Sequence, residues 1–242
     1  MRGRFADEKV MLPEYPRTRH LPHRANAARD DLICTEVECK VIFESPHVVV
    51  EEKVDGASCG MTINGDEPVI RNRSHILRKG YSKPNSAAKN QFSRVWNWWY
   101  DNYAMFRALA EAGPYSVYGD WCYAQHGIEY DLLPSFFVTY DLYDYEAGKF
   151  MDSVKGKALL REIGFTTVPE LHTGPVANWE QLEALANLPS PFTSKGPREG
   201  VYLKVSDGKW IVHRFKMVRE DFKQGALWND SVINKNTIKE QS

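Results

Sequence analysis

Val48-Val49-Val50-Glu51-Glu52-Lys53-Val54-Asp55-Gly56-Ala57-Ser58 is the stretch that decides how this 242-residue chain is read. Three consecutive valines predict a buried β-strand, and the strand runs on into two acids and a lysine. A strand end holds a functional side chain more firmly than a loop does. Asp55 and Gly56 follow, and a glycine lets backbone and ligand come close together. Lysine is a nucleophile only as the neutral amine, so a reactive Lys53 needs neighbouring cations or a metal to lower its pKa. A lysine, an acid and a glycine at this spacing are common by chance. Their meaning depends on what the rest of the chain adds.

Outward from this stretch, strands dominate. Asn64-Gly65 between the apolar runs Cys59–Ile63 and Pro68–Arg71 marks a tight hairpin. Phe92, Val95, Trp96, Trp99, Tyr103, Phe106 and Ala110 recur at helical spacing, predicting one helix from about residue 86 to 112, stopped by Gly113-Pro114. Its tryptophan stripe reads as core packing. Tyr115–Tyr123 and Phe136–Tyr143 are predicted strands. Asp152 or Ser153 caps a helix ending near Gly164, and Asn178 with Gln181 caps another. Val201–Val205 and Lys209–Val218 are strands joined through Asp207-Gly208. The expected class is α+β with two largely antiparallel sheets flanked by helices. One domain over residues 1–242 is expected, with a basic leader (1–40) and a polar, frayed tail (229–242).

Composition excludes several alternatives. Hydrophobic residues make up 43% and charged residues 26%, which suits a folded chain rather than a disordered one. There is no long apolar run for a membrane span, and residues 1–10 lack the apolar core of a secretory signal. Cys34, Cys39, Cys59 and Cys122 form no CxxC pair, so reduced thiols and a cytoplasmic location (of a host cell, if viral) are expected. The 31 Lys+Arg nearly cancel the 32 Asp+Glu, but not locally. Residues 71–100 carry Arg71, Arg73, Arg78, Lys79, Lys83, Lys89 and Arg94 with no acid. Arg17, Arg19, Arg24 and Arg29 form a second acid-free window, residues 15–29. Such windows suit a phosphate-facing surface.

The remaining chemistry-bearing residues come in a definite order. Arg73 ends a strand, Asp120 follows Gly119, Tyr140 precedes Asp141, Glu199 precedes Gly200, and Arg214 and Lys216 share one face of a strand by their period of two. With Lys53-Val54-Asp55-Gly56 in front, this order resembles the covalent nucleotidyltransferases, the superfamily of polynucleotide ligases and mRNA capping enzymes. Within it, the chain is most similar to ATP-dependent RNA ligases. Tyr15-Pro16-Arg17-Thr18-Arg19-His20-Leu21-Pro22 resembles that group's leader, and Gly119-Asp120-Trp121 with His126 and Tyr130 resembles its middle. The chain departs from the usual pattern in having Asp120 for glutamate, Tyr140 for phenylalanine, Arg214 for lysine and Ser58 for a larger polar residue.

The resemblance implies an ATP-grasp-like ligase core without an oligonucleotide-binding domain. It implies ATP and Mg²⁺ (or Mn²⁺) as cofactors, with AMP carried on Lys53. Arg214 and Lys216 would clamp the α-phosphate and help lower the pKa of Lys53. Tyr140 would stack on adenine, and Glu51 or Glu52 would read its edge while the other faces solvent. Asp55, Gly56, Arg73 and Asp120 would complete the nucleotide site, and Glu199 and Asp120 would hold the metal. Arg71, Arg73, Arg78, Lys79 and Lys83 would face the strand being sealed. The implied partners are RNA ends, or RNA/DNA hybrid or DNA ends, with no membrane and a monomeric enzyme acting in repair. The alternatives are a minimal ATP-dependent DNA ligase and a non-sealing nucleic-acid-binding relative.

Overall fold

The computed structural model describes residues 11–22, 32–79, 91–222 and 233–240. Two five-stranded sheets face each other, and the chain crosses between them at the lysine-bearing turn. The first sheet has the spatial order β1 (Arg19–His20), β10 (Ile211–Val218), β9 (Gly200–Ser206), β2 (Val48–Lys53) and β8 (Glu170–Thr173). Among the described residues its one parallel strand pair is β1 with β10. The second sheet is wholly antiparallel, in the order β4 (Glu67–Asn72), β3 (Ala57–Asn64), β5 (Tyr115–Trp121), β6 (Phe137–Asp144) and β7 (Lys149–Phe150). The α+β expectation with two largely antiparallel sheets therefore stands. Val54–Gly56 is the whole connection between β2 of one sheet and β3 of the other.

The described residues include five helices: α1 (Glu36–Glu44), α2 (Val95–Asp101), α3 (Tyr103–Ala112), α4 (Ser153–Ile163) and α5 (Trp179–Ala186). α1 carries a complete capping box between Thr35 and Glu38, a Thr-x-x-Glu signal that sequence reading overlooked. Asp152 and Asn178 cap α4 and α5 as expected, accepting from Lys155 and Gln181 backbone N–H groups. The long helix expected over 86–112 is instead broken at Asn102. The Asn102 side chain donates to the Trp98 carbonyl (2.8 Å), a local bond that competes with the helical ladder. Residues 86–90 of that expectation lie outside the described residues.

Four cores surround the sheets. Trp99, Phe106 and Leu160 of α2, α3 and α4 pack on Val117, Trp121 and Leu142 of the second sheet. The tryptophan stripe is thus a core, with Trp99 fully buried. Ile42 of α1 and Leu182 of α5 cover Val50, Leu203 and Phe215 of the first. Two smaller clusters lie beside the cleft, one around Val54, Tyr130 and Phe192 and one around Leu12, Tyr118 and Phe150. All four cysteines are buried free thiols. Among the described residues no helix is long and apolar enough to cross a membrane. Residues 233–240, expected to fray, pack against the 122–133 loop through backbone bonds from Asn236 to Tyr123 and from Thr237 to Tyr130.

Candidate active site

A cavity of about 200 Å³ opens where the sheets meet. Lys53, Glu51, Glu52, Tyr202 and Lys216 line it from the first sheet, and Ser58, Asp120 and Tyr140 from the second. Gly56 and Arg73 complete that side, and Tyr15 to Thr18 of the leader close the rim. Gly56 is required by space, because a Cβ there would lie 2.9 Å from both Asp120 Cβ and Cys122 Sγ.

Lys53 is the last residue of β2 and pairs in register with Gly200. That register brings Glu199 beside it, and Lys53 Nζ donates to Glu199 Oε2 at 2.6 Å. Burial alone would lower the Lys53 pKa, but Glu199, Asp55 and Asp120 outweigh it and hold the amine above its ordinary range. The expectation of a depressed lysine is corrected, because the carboxylates of Glu199, Asp55 and Asp120 stand nearest the amine. Asp120 sits opposite Ser58. Burial, then the nearby Glu199 and Asp55, push its carboxyl up to about 7 against the pull of Lys53. Burial pushes Glu199 up to about 7 as well, with Lys53 opposing and Asp55 adding to the rise.

Those two shifts make a pH prediction. A carboxyl raised in the folded state contributes stability that is present below its unfolded pKa and is lost as pH rises through about 7. Asp120→Asn removes one such loss, so its melting temperature relative to wild type should rise between about pH 5 and about pH 8. A variant that instead loses ground at the higher pH contradicts the assignment.

Asp55 fixes the turn after Lys53. Its Oδ2 accepts from the N–H groups of Gly127 (2.6 Å) and Ile128 (2.9 Å), and its own N–H donates to Tyr130 Oη (2.8 Å). Tyr140 lies nearly parallel to Tyr202, at 11° with ring centroids 6.5 Å apart. That spacing is close to twice the ~3.5 Å contact distance of carbon atoms, the width of one flat ring. Tyr202 was missed in the sequence. Its signal was the strand period, which places it two residues after Gly200 on the Gly200 face.

Several expected residues sit elsewhere. Glu51 and Glu52 are both buried, so neither faces solvent. Glu51 accepts from Lys157 Nζ (2.5 Å) and pairs with Lys204, and Glu52 accepts from Ser190 Oγ (2.6 Å) with Arg198 3.8 Å away. Burial raises the Glu52 pKa, with Ser190 and Arg198 opposing. Lys157 and Lys204 are fully buried and were not foreseen. Arg214 does not join Lys216 at the cavity. Asp141 (3.3 Å) and Tyr15 (3.0 Å) hold its guanidinium, which lies 4.3 Å from the Phe150 ring centroid. Asp141 also takes Lys204 at 2.7 Å, and these cations outweigh burial to keep its carboxyl low. Arg71 is also corrected. It is buried, donating to Leu12 O (2.7 Å) and Asn72 O (3.1 Å), so it anchors the leader rather than facing a strand. Arg73, Arg78 and Lys79 are exposed, and Lys79 Nζ stands 4.6 Å over the Tyr100 ring. Lys83 lies outside the described residues.

Two sheets joined through a lysine-bearing turn, with the lysine facing a parallel tyrosine pair and buried acids, make this a ligase-type nucleotidyltransferase fold. A family model described as RNA ligase matches residues 46–218, so the chain belongs to the RNA ligase family. Solved structures of the Naegleria gruberi RNA ligase share the fold. A mutant with ATP and manganese superposes with a TM-score of 0.56 at 17% identity, over 86% of this chain and 56% of that one. The same ligase with pyrophosphate gives 0.55 at 20% identity, over 74% and 52%. A further mutant without ligand gives 0.57 at 17% identity, over 87% and 56%. The chain thus matches little more than half the length of these ligases. No curated protein sequence matches it.

Proposed function

We propose that the chain joins RNA ends, a 3′-hydroxyl to a 5′-phosphate, at the expense of ATP. The observation that carries this reading is Lys53, fixed at a strand end, bonded to Glu199, and sharing its cavity with Asp120 and the parallel tyrosines. In the first step the Lys53 amine forms a bond to the α-phosphorus of ATP, and the bond to pyrophosphate breaks. In the second, the 5′-phosphate of the RNA takes the AMP from Lys53. In the third, the 3′-hydroxyl attacks that activated phosphate and AMP leaves. Each step is a phosphoryl transfer, so positioning and charge neutralisation supply most of the rate.

The residues take distinct roles in this reading. Lys216 meets the α-phosphate, and Arg73 at the rim meets the ribose or the incoming phosphate. Adenine lies between Tyr140 and Tyr202, with Glu51 and Glu52 near its edge. Asp120 on the cavity wall and Glu199 beside Lys53 would offer hard oxygen donors to Mg²⁺ or Mn²⁺, with the nucleotide's phosphates completing the set. A bound divalent cation supplies the positive charge that a triphosphate needs. Engaging Glu199 elsewhere also releases Lys53 from the ion pair that keeps it protonated. Arg73, Arg78 and Lys79 offer a cationic path for the strand, and the enzyme acts as a monomer.

Radiolabelled ATP or GTP followed by a denaturing gel tests the nucleotide, and nicked duplexes and single strands in all RNA and DNA combinations test the substrate. Label from ATP and sealing of RNA ends are expected. Label from GTP alone, or sealing confined to DNA, refutes the reading. Tyr140→Ala and Tyr202→Ala should each weaken ATP binding by about 1–3 kcal/mol, the usual worth of one base–aromatic stack. Titration calorimetry would check this, and unchanged affinity in both variants would exclude the slot as the adenine site.

A further inference from the structure

We propose that residues 233–240 form a strap whose central residue, Asn236, positions the turn that presents Lys53. The inference rests on the ligase reading and adds to it a positioning residue that does not line the cavity. The 122–133 loop holds Asp55 through hydrogen bonds from Gly127 and Ile128 and to Tyr130, with His126 Nδ1 3.8 Å from its other oxygen. Tyr130 is fully buried and works as a strut. Its hydroxyl receives the Asp55 N–H at one end. At the other, its backbone N–H donates to Asn236 Oδ1 (2.9 Å) and its carbonyl accepts from the Thr237 N–H (2.9 Å).

The strap also ties together the two arms of that loop. Asn236 Nδ2 donates to the carbonyls of Cys122 (2.8 Å) and Ala124 (3.3 Å), and the Asn236 N–H donates to Tyr123 O (3.1 Å). The Gln125 N–H donates to Asn234 O (2.9 Å), and the Lys239 N–H to Leu133 O (2.9 Å). Asn236 is 3% exposed and every polar atom of its amide is used. A polar side chain so buried and so fully bonded rigidifies what it touches. What it touches, one residue removed, is the backbone of Asp55. The strap therefore sets the placement of the Lys53 amine, and loosening it should slow the step in which that amine attacks phosphorus.

That step is separable. Joining of a pre-adenylylated RNA strand to a 3′-hydroxyl needs the folded cavity but not Lys53 as nucleophile. The experiment compares Asn236→Ala, Tyr130→Phe and the double variant in two reactions: single-turnover labelling of Lys53 at saturating ATP, and joining of a pre-adenylylated strand. Labelling should slow roughly ten- to hundredfold in either single variant, since small misplacements of a reacting group cost this much. The double variant should be little slower than the worse single one, because both break one relay. ATP affinity and pre-adenylylated joining should stay within about twofold of wild type. Equal losses in both reactions would mark a purely structural role and overturn the proposal, as would additive slowing. Tyr130→Phe keeps the ring packed, so it decides the matter if Asn236→Ala does not fold. A Tyr130→Phe protein labelled at the wild-type rate also overturns it. Failure of the wild type to take label from ATP would instead refute the ligase reading.

Discussion

Lys53→Arg yields a folded protein whose labelling by ATP falls by on the order of a thousandfold or more, as expected when a nucleophile is removed. Arginine is the informative replacement. Lys53 Nζ and Glu199 Oε2 are 2.6 Å apart, and the Glu199 side chain is only 6% exposed. Lys53→Ala would leave that carboxylate buried without its partner, confounding chemistry with stability. A guanidinium preserves the ion pair but keeps its proton at any accessible pH, so it cannot attack phosphorus. Lys216 also lines the cavity, on β10 across from Tyr202. Label retained on the Lys53→Arg protein at the wild-type level would move the nucleophile to another amine. Glu199, Asp55 and Asp120 hold the Lys53 amine above its ordinary range, so in the proposed reaction it would gain reactivity once Glu199 turned to another cation.

Lys157→Met destabilises the fold by about 3–5 kcal/mol, a large share of the stability of any single domain. Lys157 lies on α4 with its side chain fully buried, 2.5 Å from Glu51 Oε2 and 3.8 Å from Glu170. Glu51 is equally buried and shares its charge with Lys204, which in turn bonds Asp141 and the Tyr140 carbonyl. Removing Lys157 leaves Glu51 Oε2 deep in the protein without its donor and the buried network one positive charge short. Lys157→Met with Glu51→Gln should recover part of the loss, because an unpaired amide costs less than an unpaired charge. Urea unfolding checks both variants. A loss below about 1 kcal/mol, the worth of an exposed pair, would contradict the network. The same ions join the lysine strand to α4, β9 and β6, so the network also sets the wall behind Tyr140.

Legibility in the sequence followed the range of the interaction. Local signals read through. Val48–Lys53 is a strand, the hairpin signalled by Asn64-Gly65 joins β3 to β4 through Gly65-Asp66, Asp152 and Asn178 cap their helices, and Gly164 ends α4 in the left-handed region. Lys53, Asp120, Tyr140 and Lys216 line one cavity, and Glu199 reaches Lys53 from beside it. Arg214 and Arg71 went the other way, and both errors have one origin. Period-two alternation tells which face of a strand a side chain takes, but not what the second sheet places against that face. For Arg214 it places Asp141 and Tyr15, and for Arg71 the leader carbonyl of Leu12 stands ready.

The sequence by itself determined most strand positions, the caps at Asp152 and Asn178, the lysine at a strand end before a turn and the order of the reactive groups. All of these are set within a few residues by steric and hydrogen-bonding preferences of the backbone. Only the tertiary structure decided which charges are paired, which tyrosine faces Tyr140 and what holds the lysine turn in place. Glu51 and Lys157 stand 106 residues apart, and Tyr130 and Asn236 likewise, yet each pair is in direct contact. Such contacts depend on strand register and on how two sheets close over one another. Their energy comes from desolvation at a depth that no local pattern encodes.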